Sequence, residues 1–460
     1  MNSQSKKMEL LGSASIPKAL LSMGIPTMIG MLVNAFYNLV DAYFVGGLGE
    51  SQMGAISVVY PLGQIVVGLG LLFGNGAASY ISRLLGRGDK ENADKVASTA
   101  LYSSISVGAV IIIISMVFLH PILKLLGATD SILPFAATYA GIYIVSCIFN
   151  VFNVTMNNIV TSEGAAKTTM CALLTGAVLN TALDPLFIYV FDLGVAGAAI
   201  ATAISQVVST CVYLTYIFRK KSVFHFRVKD CTYTKETMSE IFKIGIPTLV
   251  FQILTSVSIS LINNAAGGYG DSAIAGMGVV TRLISMGSLS VFGFIKGFQP
   301  IAGYSYGAKK FDRLREAIKT SILWSTVFCV IFGVILALFP TAIVSQFTKG
   351  DAEMIRIGAA SLRANGISIM LFGFYTVYSS LFLALGKGRE GFILGALRQG
   401  ICFIPVILLF PMVWGLNGIM YAQPIADVLS AVITVFMAIP LHKRLNEMQK
   451  QTAVISTNNN

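Results

Sequence analysis

The chain has 460 residues, of which 55% are hydrophobic and only 12% charged, with a formal net charge of +11. Roughly a quarter of an ordinary soluble domain is charged, so this composition excludes a soluble globular fold and makes the bilayer the solvent. The positive excess would suit nucleic acid only if it were clustered on one surface; here it is distributed by position along the chain, and no nucleic-acid partner is expected.

The amino-terminal stretch MNSQSKKMELLGSASIPKALL lacks the pattern of a cleavable signal, because the apolar segment after it is too long for an h-region. About twelve apolar runs follow, each long enough to cross ~30 Å of hydrocarbon as a helix. They are predicted over roughly 17–45, 53–81, 96–118, 132–161, 169–190, 195–218, 241–266, 273–301, 318–340, 357–385, 391–412 and 418–440. The runs are too long for barrel strands and lack period-two alternation. An all-α membrane protein is therefore expected, and its polar tail QKQTAVISTNNN is read as unstructured.

Basic residues fall in alternate connections. Lys6, Lys7 and Lys18 precede the first span; Arg83, Arg87, Lys90 and Lys95 follow the second; Lys167 follows the fourth. Arg219, Lys220 and Lys221 open the segment after the sixth, Lys309, Lys310 and Arg313 follow the eighth, and Lys443, Arg444 and Lys450 close the chain. This positive-inside pattern predicts a multi-pass protein of the cytoplasmic membrane with both termini in the cytoplasm.

The two halves repeat. GIPT at Gly24–Thr27 recurs at Gly245–Thr248, an offset of 221 (245 − 24), and at the same offset GGLGES meets GGYGDS and LGVAG meets WGLNG. Turn glycines and span-entry prolines held in register over that length predict two parallel six-helix lobes, pseudo-symmetric about a central cavity. The lobes are assigned to residues 1–222 and 223–460. The joining segment RKKSVFHFRVKDCTYTKE reads as a cytoplasmic linker with a surface amphipathic helix.

Two acids lie inside spans of the first half: Asp41 in YNLVDAYFVGGLG and Asp184 in NTALDPLFIYV. Both belong to spans predicted to run from inside to outside, so they sit at similar depth in the outer half of the lobe. A carboxylate there costs ~3 kcal/mol or more, so each needs a wet cavity or a partner. Asn34, Tyr37 and Asn38 share the helical face of Asp41, and Asn180 lies one turn before Asp184. Thr202 and Gln206 form a polar pair on the sixth span. The second half carries no equivalent acids: Ile262 and Pro405 occupy those positions, while Arg282, Lys296 and Arg398 lie within spans. Either the acids mark an ion path or these bases neutralise them across the lobes. Glu163, in TSEGAAK, reads as a solvated or capping residue at a helix end, and Asp427 as a partner for one of the bases.

YNLVDAYFVGGLG, LNTALDPLFIY and the repeated six-helix halves resemble the multidrug and toxic compound extrusion (MATE) family, in its prokaryotic branch with acids on the first and fifth helices. The resemblance runs from about Pro17 to Leu441. It implies a secondary transporter that exports cationic, amphipathic drugs in exchange for H⁺ or Na⁺ by alternating access. It carries the family's ion site to Asp41, Asn180, Asp184 and Thr202, with Tyr37 and Tyr139 nearby, and the oxygen-rich set suits either ion. Pro26 would act as a hinge in the first helix, while Phe36, Tyr143, Phe149, Phe152 and Arg282 would line the substrate cavity. A monomer without cofactors is expected.

A flippase for a lipid-linked saccharide would share the architecture and is the nearest rival. An intramembrane enzyme is the more distant one: His120, His225 and His442 lie at span ends or in loops, and neither HExxH nor GxSxG occurs. No P-loop is present for a primary pump, and GKGREG at Gly386–Gly391 fits a dinucleotide motif only in spelling, since it follows a helix. Six scattered cysteines give neither a disulfide framework nor a zinc spacing.

Overall fold

The structure, a computed structural model, describes residues 3–48, 50–126, 128–347 and 351–458, and among these there is no strand. A short helix α1 (Ser3–Gly12) precedes α2 (Ile16–Gly46), α3 (Glu50–Gly86) and α4 (Lys90–Val117). A brief α5 (Leu119–Leu125) leads into α6 (Leu133–Ser162), α7 (Ala166–Pro185) and α8 (Gly194–Phe218). The second half holds α9 (Lys235–Gly267), α10 (Asp271–Gly307), α11 (Phe311–Leu338) and the short α12 (Pro340–Val344). Then come α13 (Ala352–Ser368), α14 (Phe372–Ala384), α15 (Gly388–Ala396), α16 (Phe403–Trp414) and α17 (Leu416–Asn458).

A tight turn at Ile369–Leu371 joins α13 to α14 and a widened turn at Leu397–Ile401 joins α15 to α16, so each pair forms one span. Among the described residues twelve spans are long and apolar enough to cross a membrane, from Ile16–Val45 to Leu416–Gln451. Each expected span overlaps one of these, the last running 11 residues past its expected end (451 − 440), while starts such as Lys90 and Lys235 come six residues earlier than expected (96 − 90 and 241 − 235). At those starts the helix begins in a polar turn that hydropathy does not register. Asp89 caps α4 by accepting from Asn92 N at 3.1 Å, and Thr234 caps α9 by accepting from Thr237 N at 3.2 Å.

Two expectations fail here. The joining segment holds no amphipathic helix beyond a single turn at Val228–Asp230; Val223, Phe224 and Phe226 are instead buried in the core beside Tyr213 and Tyr216. Their side chains anchor the chain more strongly than a polar surface helix would. The tail is also not coil: α17 continues to Asn458, because Lys443–Lys450 extends a helix already nucleated in the span.

Repeated glycines do repeated structural work. Gly194, which opens α8, and Gly415, just before α17, both take positive φ, +54° and +55°. A β-carbon on Gly197 would sit 2.6 Å from the Phe187 carbonyl carbon, and one on Gly418 would sit 2.4 Å from that of Phe410. The most consequential glycines lie between the lobes. Gly76 approaches Ile241 O and Gly245 approaches Leu72 O; Gly297 lies on Met23 and Gly24, and Gly293 on Met28. Further on, Gly86 meets Tyr304 O while Gly307 meets Arg83 O, a reciprocal pair at the repeat offset.

These contacts pack α2 against α10, and α3 against both α9 and α10. All lie toward the end of the molecule that carries the termini, below a hydrogen bond from Gln252 Nε2 to Gln64 Oε1 at 2.8 Å. Polar bonds reinforce this seam: Arg83 donates to Glu240 at 2.6 Å, Asn75 to Thr248 at 2.9 Å, and Ser79 to Leu383 O. Helix α1 straps across it. Lys7 pairs with Glu163 at 3.1 Å in the first half, while Lys310 and Arg313 of the second half donate to the carbonyls of Leu10, Leu11, Gly12 and Ala14. Cations on those carbonyls also suit the negative end of the helix dipole.

Candidate functional site

The first helix reaches the site across a break. Pro26 removes one backbone donor inside α2, and the Thr27 hydroxyl beside it, with its one proton, lies within bonding distance of Met23 O and Gly24 O of its own helix and of Gly293 O of α10, at 2.8, 3.0 and 2.6 Å. The part of α2 before Pro26 is thereby fastened to the seam. The part after it packs along α7 and carries Asn34, Tyr37, Asn38 and Asp41.

Asp184 comes from the last turn of α7. Pro185 follows it, and the helix then widens into a π-turn over Leu186–Val190, a form often found at functional sites. This turn aims Asp184 into the lobe, where it is fully buried. Asn180 Nδ2 donates to Asp184 Oδ1 at 3.3 Å and to Thr202 Oγ1 at 3.4 Å, joining α7 to α8. Asp41 is close enough for its charge to act on Asp184, Tyr37 and Tyr139, and Tyr139 stacks on Tyr143 with ring centroids 5.6 Å apart.

The set expected from sequence is thus gathered in one place: Asp41, Tyr37, Tyr139, Asn180, Asp184 and Thr202. What distinguishes it is unmet valence. Asp41 Oδ1, Asp184 Oδ2 and Asn180 Oδ1 are buried and accept no hydrogen bond from the protein. Three acceptor oxygens aimed into one lobe, two of them on carboxylates, suit a proton or a small hard cation. Among the described residues no ion pair involves either aspartate.

Other candidates fall elsewhere. Asn38 Nδ2 donates to Asn34 O at 2.8 Å and Oδ1 at 3.0 Å, so Asn38 directs its donors back along α2. Phe36 is 62% exposed and Arg282 is also exposed. Phe149 is partly buried, and Phe152 packs against the core cluster containing Phe73 and Met156. The bases do not neutralise the two acids across the lobes. Arg398 Nε bonds Asp427 Oδ1 at 2.7 Å within the second half, with Ser368 and Gln423 completing the carboxylate, and Lys296 bonds the neutral Asn157.

Glu163 is neither solvated nor a simple cap. It is completely buried, taking Lys7 on one oxygen and Ser222 Oγ and Val223 N, at 2.9 and 2.6 Å, on the other. Tyr216 also donates to it. No sequence spacing links residues 7, 163, 216 and 222, so only the tertiary fold could disclose this cluster. The importance of Lys296 was more accessible, since the repeat offset pairs it with Asn75.

Comparisons with known proteins agree with this architecture. The MatE family model matches twice, over residues 26–186 and 247–409, starting points that reproduce the repeat offset (247 − 26 = 221). The multidrug export protein MepA of Staphylococcus saprophyticus is 32% identical over 433 residues, covering 94% of this chain and 95% of that protein. MepA of a Staphylococcus aureus strain, MSSA476, is 32% identical over 429 residues, covering 93% and 94%. Among solved structures, a MATE in complex with MaL6 superposes with a TM-score of 0.91 at 26% identity, covering 97% of this chain and 99% of that one. A multidrug resistance MATE transporter in an outward-facing conformation gives 0.90 at 27% identity, with the same coverage. From its repeated helices to its full-length relatives, the chain belongs to the MATE family of multidrug efflux transporters.

Proposed function

We propose that this transporter exports cationic, amphipathic drugs in exchange for protons, with Asp41 and Asp184 as the groups that exchange one cation for the other. The observation that supports the reading best is the pair of buried carboxylates with unmet oxygens and no basic partner among the described residues. A buried carboxylate holds its charge only while a cation is near, so a proton and a cationic drug compete for the same acids. Na⁺ is the alternative coupling ion, held by oxygens of Asp41, Asn180, Asp184 and Thr202.

The lobes, residues 1–222 and 223–460, then rock about the central cavity by alternating access. With the termini in the cytoplasm, the closed seam serves as the cytoplasmic gate, and its closure supports reading this arrangement as outward-facing. Protonation frees Asp41 from its cationic cargo and lets α2 bend at Pro26, where the helix is already short of one backbone bond. Tyr143 and the stacked Tyr139 offer aromatic surface to varied cargo beside the acids. A monomer suffices, because ion site and seam lie within one chain.

The test is drug transport by the purified full-length protein in liposomes, with an imposed pH gradient and, separately, a Na⁺ gradient. Drug movement driven by the pH gradient, and lost in both Asp41→Asn and Asp184→Asn while each still inserts and folds, is expected. Undiminished exchange in either variant removes that residue from the mechanism. Transport driven by Na⁺ alone replaces the proton by sodium at the same site.

A further inference from the structure

The second repeat places a lysine where the first places an asparagine. At the 221-residue offset Lys296 on α10 stands for Asn75 on α3, and Gln299 stands for Ala78. All four side chains, with Ser82 and Asn158, line one small cavity where the lobes meet at the closed end. The cavity therefore lies on the approximate symmetry axis, and its two walls differ: the first repeat contributes small neutral groups, the second an ammonium and an amide.

Packing does not call for this difference. Lys296 Nζ crosses the seam and donates to Asn157 Oδ1 on α6, a bond that a neutral side chain could make without bringing a charge into the membrane interior. An ammonium has three N–H donors, and one amide oxygen uses one of them. Beside it, Gln299 Nε2 is buried and makes no hydrogen bond in the structure. The buried acid of the second half is already held by Arg398, and Asp41 and Asp184 lie toward the opposite end of the first. The wall formed by Lys296 and Gln299 is thus rich in donors, and the chemistry that completes it is an acceptor with negative charge.

We infer that Lys296, with Gln299 beside it, recognises the carboxylate of zwitterionic drugs when the lobes part at this end. The inference rests on the proposed two-lobe export cycle. Opening the seam takes Asn157 away from Lys296 and exposes the ammonium to incoming cargo. A carboxylate can accept from Lys296 Nζ and Gln299 Nε2 together, while the cationic end of the same molecule is left for the acids of the first lobe. Closing the seam returns the ammonium to Asn157 and releases the carboxylate. The same charge repels purely cationic drugs at the entrance, so Lys296 sets a preference between the two cargo types.

The experiment compares a fluoroquinolone acid with its methyl ester, which keeps the cationic amine and removes the carboxylate. Both are transported by full-length protein in liposomes, as wild type, Lys296→Met, Lys296→Arg and Gln299→Ala. In Lys296→Met the acid's transport relative to the ester should fall about tenfold or more, the size expected for losing a charge-assisted hydrogen bond. Lys296→Arg should retain most of the preference. Gln299→Ala installs the residue used by the first repeat, so it packs, and should lower the same ratio about threefold. Equal changes for acid and ester, or none, in both Lys296→Met and Gln299→Ala overturn this inference and leave the export reading standing. A wild type that carries neither compound, under either ion gradient, overturns the export reading and this inference with it.

Discussion

Substituting Gly245 by alanine should open the closed seam. A β-carbon at Gly245 would lie 2.0 Å from Leu72 O, 2.8 Å from its carbonyl carbon and 3.0 Å from its α-carbon. Carbon and oxygen settle no closer than about 3.3 Å, so α9 must retreat from α3 by more than an ångström. All three obstructing atoms are backbone, which no change of rotamer can clear. Overpacking of this kind costs about 1–3 kcal/mol, and only the arrangement with the seam closed bears it. The population ratio between closed and open seams should therefore move about 5- to 150-fold toward open. Spin labels at the exposed Arg87→Cys and Arg389→Cys, one in each half, would report it as a growing long-distance component, with Cys171 and Cys211 replaced by serine. Gly278→Ala is the control, because nothing lies within 4 Å of its β-carbon position. A Gly245→Ala distance distribution identical to that of Gly278→Ala would refute the steric account of the seam.

The buried pair in the second half gives a second prediction. Arg398→Met leaves the Asp427 carboxylate without its cation and should destabilise the fold by about 3–5 kcal/mol, whereas the double variant Arg398→Met, Asp427→Leu should recover much of that loss, as read from unfolding temperature in detergent. Glu163→Ala removes the buried carboxylate that neutralises Lys7 and accepts from Ser222 Oγ and Val223 N, and should cost a similar ~3–5 kcal/mol. It should also loosen the α1 strap, which protease protection of the first twelve residues would register. Lys387 lies in the turn between two spans, and burial, with the nearby Arg444 charge, holds its ammonium below the usual lysine range. The fold is therefore penalised while this lysine is protonated, and the penalty is relieved as pH rises through the lowered value toward the ordinary one near 10.4. Between neutral pH and about pH 10 the wild type should gain stability relative to Lys387→Met, and a constant difference in melting temperature would exclude that linkage.

Helix number, the repeat and the identity of the two acids were legible from the sequence, because each is a local or periodic property. A run of about twenty apolar residues in lipid has no stable alternative to a helix, since its backbone must satisfy itself. A glycine or proline kept at a constant offset marks a backbone requirement met twice, as Gly194 and Gly415 show by their shared positive φ. Asp41 and Asp184 stood out because an apolar segment tolerates an acid only for a purpose.

Partner choice was not legible, because it depends on which helix faces meet. Arg398 could have reached any acid at its depth; packing of α15 and α17 gave it Asp427 and left Asp41 and Asp184 without a base. Glu163, four residues from Lys167 and just past the end of an apolar run, reads locally as a helix-end residue at the surface, yet α1 and the chain after α8 close over it and turn it into the anchor of a strap. Lys296 faces Asn157 only because α10 lies against the first lobe in this arrangement. The sequence by itself determined that the chain holds about twelve apolar runs of membrane-spanning length, in two related halves with two costly acids in the first. The tertiary structure alone decided which charges are neutralised, which oxygens stay unmet and which end of the molecule is shut, since those depend on contacts of a few ångströms between segments hundreds of residues apart.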